Sequence, residues 1–151
     1  MTTISKFKVP TREEVSPQNQ EIFDNLHGAL GFVPNIYAAM AHSKNALGNY
    51  LTFSNGATSF SKKEKEVIDL AVSQVNGCTY CQSAHTAIAK MNGFSEEQIL
   101  ELRTGRASWD KKQDALAKIA RSLAETRGKV DQALVEEFYS CLLYTSPSPR
   151  D

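Results

Sequence analysis

Apolar residues recur at helical spacing along most of this chain. Ile22, Phe23, Leu26 and Leu30 fall on one helical face, which Ser16 can cap, Pro17 can open and Gly31 can close. Val33-Pro34-Asn35 restarts the chain. Ile36, Tyr37, Met40 and Ala41 carry a helical pattern onward, and Leu47, Tyr50, Leu51 and Phe53 form another that Asn55-Gly56 ends.

The second half repeats this grammar with clearer punctuation. Ser61-Lys-Lys-Glu64 spells a capping box, and Val67, Ile68, Ala71, Val72 and Val75 form the apolar stripe behind it. Asn76-Gly77 breaks that helix. Cys78 to Met91 predicts the next, closed by Asn92-Gly93. Ser95-Glu-Glu-Gln98 is a second capping box, ahead of Ile99, Leu100 and Leu102. Leu116, Ile119, Ala120 and Leu123 predict a long amphipathic helix ending near Gly128. A last helix starts over Val130 to Tyr139, with Leu134, Val135 and Phe138 facing inward.

No segment alternates with period 2 between hairpin turns, so no sheet is predicted. There is no internal repeat and no long linker. The expectation is one all-α domain over residues 1–140, an antiparallel helical bundle with short loops.

Residues 141–151 break the pattern. Cys141-Leu-Leu-Tyr-Thr-Ser-Pro-Ser-Pro-Arg-Asp151 resembles, at all eleven positions, the translation of a transposase adapter used in sequencing libraries. The natural sequence is therefore expected to diverge near Cys141, with native C-terminal helices missing. That segment is left out of the fold reasoning, and Cys141 is not a candidate functional thiol.

Charge and composition narrow the function. The 151 residues hold 17 basic and 17 acidic side chains, which gives no electrostatic case for nucleic acid or an anionic membrane surface. No secretory leader and no 18-residue apolar span is evident, so no membrane partner is expected. Three cysteines, two of them in one Cys-x-x-Cys, do not form a secreted disulfide framework. A reducing cytoplasm is the expected compartment.

The chemistry concentrates between Glu66 and His85. Cys78, Cys81 and His85 are spaced by three and four residues, so on one helix they share a face. Gly77 places the cysteines at the start of that helix, where unpaired N–H groups and the helix dipole favour a thiolate. His85, one turn beyond Cys81, can accept or return its proton. A Cys-x-x-Cys pair can also close a disulfide within one turn. Glu66 stands twelve residues before Cys78 and reaches this group only if the second helix folds back along the first. Spacing alone leaves Glu64 and Asp69 as competing carboxylates.

Glu66-x11-Cys78-x-x-Cys81-x-x-x-His85 resembles the signature of the AhpD-like alkylhydroperoxidases within the carboxymuconolactone decarboxylase superfamily. The similarity extends to the capped helix from Ser61, to Gly93-Phe-Ser-Glu-Glu, and to Phe32-Val-Pro-Asn-Ile, which is similar to the peroxidase-related branch. The resemblance implies an all-helical homo-oligomer that reduces hydroperoxides or exchanges disulfides. It implies that Cys81 is the peroxidatic thiol, passing through a sulfenic acid. Cys78 becomes the resolving thiol and proton donor, with Glu66 and His85 as the proton relay. It implies no metal, flavin or haem cofactor, and a dithiol reductant such as a lipoyl-bearing or thioredoxin-like protein. Tyr80 departs from the pattern, since the best-known members of the family carry histidine there. A tyrosine is no base at neutral pH, which implies a simpler relay and weaker turnover.

Other readings compete. The cysteines could be two small buried hydrophobes. Zinc would find three ligands in Cys78, Cys81 and His85, but structural zinc takes four and no second Cys/His pair is present. The decarboxylase branch acts without a redox cysteine pair. A non-turnover redox sensor, a scaffold oligomer and a general disulfide reductase remain as functional alternatives. His27 and His42 are expected in helices without ligand-spaced partners, and Trp109 in packing or subunit contact.

Overall fold

A computed structural model describes residues 8–142, for Leu142 the backbone alone. Most of the suspected tail, residues 143–151, lies outside the described residues.

The described residues form helices and no strands. They fall into two compact units, divided between Ala57 and Thr58. The first holds a 3-10 turn (Arg12–Glu14) and helices α1 (Pro17–Leu30), α2 (Asn35–Met40) and α3 (Ala46–Ser54). Ser16 caps α1 by accepting the Asn19 N–H, and Gly31 ends it in the left-handed region at φ 79°. Val15, Phe23, Ala38, Ala41 and Leu47 make the core. Asn19, fully buried, donates from Nδ2 to the carbonyls of Ala41 and Ser43 and so ties α1 to the turn after α2. His42 lies in that turn rather than in a helix, with Nε2 2.9 Å from the Lys8 carbonyl.

The second unit holds α4 (Lys62–Val75), α5 (Thr79–Met91), α6 (Glu96–Arg103), α7 (Lys111–Thr126) and α8 (Gln132–Leu142). Both expected capping boxes form, at Ser61/Glu64 and Ser95/Gln98. Asp110 caps α7 by accepting the Gln113 N–H at 2.9 Å. Helix α7 ends on Arg127 in the left-handed region at φ 55°, one residue before the expected glycine.

Helix α4 is the hub of this unit and packs against α5, α6 and α7, while α8 packs on α7. Val67 and Leu70, both fully buried, pack with Ala89, Phe94, Ile99, Leu102 and Leu116, and Ala71 is fully buried as well. Leu70 was not part of the expected stripe. Ile68, Val72 and Val75 are instead half-buried. Leu100, Leu123, Leu30 and Phe53 extend apolar patterns yet remain exposed. Trp109 meets Phe94 edge to face at 6.4 Å and donates to Gln113.

Candidate active site

The site is made by one tight reversal. At the end of α4, Gly77 takes φ 61°, a left-handed conformation that carries little cost without a side chain. Its N–H donates to the Gln74 carbonyl, and the Cys78 N–H donates to the Ser73 carbonyl at 3.1 Å. These two bonds are the Schellman closure of a helix end. The chain turns back at once, and Cys78 becomes the N-cap of α5.

That position defines the environment of both sulfurs. Cys78 Sγ accepts the Cys81 N–H at 3.2 Å, as a serine oxygen does at other caps. Cys81 sits at the third helical position, within the turn whose N–H groups favour negative charge. The two are joined as a disulfide, with Cα atoms 5.3 Å apart. Both residues are half-buried, and Tyr80 between them is 51% exposed. In this oxidised state neither sulfur is a thiolate donor for zinc.

Because α5 folds back beside α4, His85 comes to Glu66. His85 Nδ1 donates to Glu66 Oε2 at 3.0 Å. Glu66 is buried, with 8% of its side chain exposed, against 27% for His85. Asp69, one turn on, brings Oδ2 to 3.6 Å from the same nitrogen. With its Nδ1 proton committed to Glu66, a neutral His85 ring presents Nε2 as its base.

The electrostatics follow from this contact. The hydrogen bond to Glu66 raises the His85 pKa; partial burial opposes it, and the Asp69 charge adds to it. Burial raises the Asp69 pKa, the nearby His85 lowers it and the like charge of Glu66 raises it further. Among the described residues, ligand-capable atoms of Glu66, Asp69 and His85 lie within 4.8 Å of one another. A cation held there would displace the proton that His85 shares with Glu66.

The structure thus brings Glu66 and His85 together, and Cys78 with Cys81. Of the competing carboxylates, Asp69 joins the cluster and Glu64 does not. Glu64 closes its own capping box and pairs with Lys112 at 2.8 Å. Sequence reasoning missed three supports. The buried Ser73 supplies the carbonyl that anchors Cys78. Gln82 Nε2 donates to that same carbonyl at 3.4 Å. Arg103 Nη2 donates to Thr86 Oγ1 at 2.6 Å and to the Gln82 carbonyl at 3.3 Å, tying α6 to α5. No periodicity signal marks these contacts.

The all-helical fold is the one that the AhpD-like resemblance implies. Residues 34–122 match the carboxymuconolactone decarboxylase family, and the chain belongs to that family. Over 46 residues the chain is 39% identical to the alkyl hydroperoxide reductase AhpD of Mycobacteroides abscessus, a match covering 30% of this chain and 26% of that protein's length. The fold resembles a crystal structure titled alkylhydroperoxidase AhpD core, a peroxidase-related protein from Ralstonia eutropha JMP134. Its TM-score is 0.77 at 21% identity, over 89% of this chain and 74% of that one. A peroxidase-related protein from Silicibacter sp. TM1040 is similar at TM-score 0.76 and 25% identity, over 96% and 77%. No helix among the described residues is long and apolar enough to cross a membrane.

Proposed function

We propose that this chain is a thiol-dependent peroxidase of the alkylhydroperoxidase type, cycling Cys78 and Cys81 between dithiol and disulfide. One arrangement carries the reading: a cysteine pair at the N-terminus of α5, with His85 of the same helix bound through Nδ1 to the buried Glu66.

In the reduced protein, the Cys81 thiolate attacks a hydroperoxide oxygen. An S–O bond forms, the O–O bond breaks, and two electrons pass from sulfur to the peroxide. The leaving alkoxide takes a proton supplied by Cys78 or by His85, whose charged form Glu66 stabilises. Cys78 then attacks the Cys81 sulfenic sulfur. The S–S bond forms, the S–O bond breaks and water leaves with the last proton. A dithiol from a lipoyl-bearing or thioredoxin-like protein reduces the disulfide and is itself oxidised to a disulfide. No cofactor enters this cycle.

The setting in this proposal is a cytoplasmic homo-oligomer. Exposed apolar side chains such as Phe53, 87% exposed, are surface that assembly would cover.

The test follows hydroperoxide loss with dihydrolipoamide as the dithiol. Wild-type protein turns over. Cys81→Ser loses at least about a hundredfold in rate, in keeping with the loss of a covalent nucleophile. Cys78→Ser halts after one equivalent, with a sulfenic acid visible by mass spectrometry. Absence of dithiol-dependent hydroperoxide loss in the wild type sinks the peroxidase reading. Oxidation once, without regeneration by dithiol, assigns a sensor instead.

A further inference from the structure

The second unit carries a broad polar groove where α4, α6 and α7 end, with a volume of about 870 Å³. Arg103, Arg121, Arg127 and Glu125 supply its charge, and the amides of Gln74 and Asn76 add neutral donors. Three guanidiniums against one carboxylate leave an excess of two positive charges. Glu125 is taken by Arg121, at 2.6 Å. Among the described residues, neither Arg103 nor Arg127 has a carboxylate within ion-pair distance.

Two of the three arginines are held in place. Arg103 is half-buried, its Nη2 fixed by Thr86 and Gln82 of α5, while its Nε is buried with no hydrogen-bond partner among the described residues. Arg121 lies under Gly105: a Cβ there would sit 2.5 Å from Arg121 Cδ. Gly105 has φ 78°, so both backbone conformation and space keep that position bare.

Helix ends offer carbonyls that arginines can satisfy, and Arg121 Nη1 does reach the Arg103 carbonyl at 3.5 Å. Backbone donors already serve the other ends. Gly77 and Cys78 close α4 on Gln74 and Ser73, and Gly105 and Arg106 close α6 on Leu102 and Glu101. Arg103 ends α6 and Arg127 caps α7, so each complements the negative end of a helix, yet unlike Arg121 neither is neutralised by a carboxylate among the described residues.

We propose that this groove binds a small oxyanion ligand, whose phosphoryl or carboxylate groups carry about two negative charges and are held by Arg103 and Arg127. Arg127 can offer a guanidinium fork, which matches both groups in shape and charge, while Arg103, its Nη2 held by Thr86 and Gln82 and its Nε buried, offers Nη1. This ligand site does not rest on the peroxidase reading, because binding is measured without peroxide or dithiol.

The experiment titrates the oxidised full-length chain with inorganic phosphate and separately with succinate, against sodium chloride at matched ionic strength. Trp109 fluorescence in thermal unfolding and calorimetry are the readouts. One or both dianions should bind saturably, and the tighter one assigns the phosphoryl or the carboxylate source. Arg127→Asn suits the left-handed backbone and removes the charge; it should weaken binding about tenfold or more. Arg103→Lys keeps charge but loses the bonds to Thr86 and Gln82 that hold the guanidinium in place and should also weaken it, while Glu125→Gln should tighten it. Equal stabilisation by chloride overturns the proposal. So does an Arg127→Asn variant that unfolds at lower temperature yet binds with unchanged affinity, since that assigns the arginine to the helix end alone.

Discussion

Replacing Glu66 with Gln tests the electrostatic centre of the site with little change of shape. The wild-type bond runs from His85 Nδ1 to Glu66 Oε2 at 3.0 Å, with the carboxylate buried. A hydrogen bond to a charged group contributes about 1.5–3 kcal/mol and a neutral one about 0.5–1.5 kcal/mol. The amide keeps a neutral acceptor, and Asp69 remains 3.6 Å from Nδ1. The expected loss is thus near the middle of the difference, about 1–1.5 kcal/mol, or roughly tenfold in the unfolding equilibrium. It appears only while His85 is charged. The contact with Glu66 raises the folded His85 pKa. Its stabilisation is therefore complete below the unfolded histidine value of about 6.5 and is lost as pH rises through the raised folded value. Urea unfolding of the oxidised protein at pH 6 and pH 9 measures this. Trp109, the sole tryptophan, reports on the unit that holds the site. With a urea slope of about 1–3 kcal/mol per molar, the midpoint should fall by about 0.5–1 M at pH 6 and little at pH 9. His85→Gln should abolish that pH difference. An equal shift at both pH values, or a larger one at pH 9, refutes the reasoning.

Leu70→Ala should cost about 3–5 kcal/mol in the same assay, because Leu70 is fully buried at the hub of α4. Met91→Ala, at a position 86% exposed, should stay within about 0.5 kcal/mol, and comparable losses for the two would contradict the assigned core. Asp114 tests an acid-sensitive contact. Burial would raise its pKa, but Lys118, the Ala107 N–H and Arg106 outweigh it and bring it to about 2. Stability from this depressed carboxyl is present above its unfolded value and lost as pH falls through the folded one. Allowing for solvent screening, Asp114→Asn should cost about 1–2 kcal/mol at pH 7 and almost nothing at pH 2. A gap that persists at pH 2 would remove the charge from the explanation.

The helices themselves were readable from neighbouring residues. Ser16 with Asn19, Ser61 with Glu64 and Ser95 with Gln98 act through hydrogen bonds spanning three positions, so their meaning survives without any knowledge of the fold. The same locality made Cys78 and Cys81 legible. Gly77 ends one helix, and the next begins within a residue, which places both sulfurs at its start. Apolar stripes were a weaker guide. Leu100 and Leu123 satisfy helical periodicity and remain exposed, since periodicity says which side chains share a face and not whether another element covers it.

By itself, then, the sequence determined an all-helical chain, the positions of its helix ends and a cysteine pair set at a helix N-terminus. Only tertiary structure decided which carboxylate meets His85. Glu64, Glu66 and Asp69 lie within six residues on one helix, equivalent in chemistry and close in spacing. The rotation of α4 against α5 and α7 turns Glu64 toward Lys112, buries Glu66 against His85 and leaves Asp69 at the edge of the same contact. That rotation is set by packing Val67 and Leu70 among side chains from α5, α6 and α7. It depends on residues far apart in the chain, which no local pattern of caps and spacings contains.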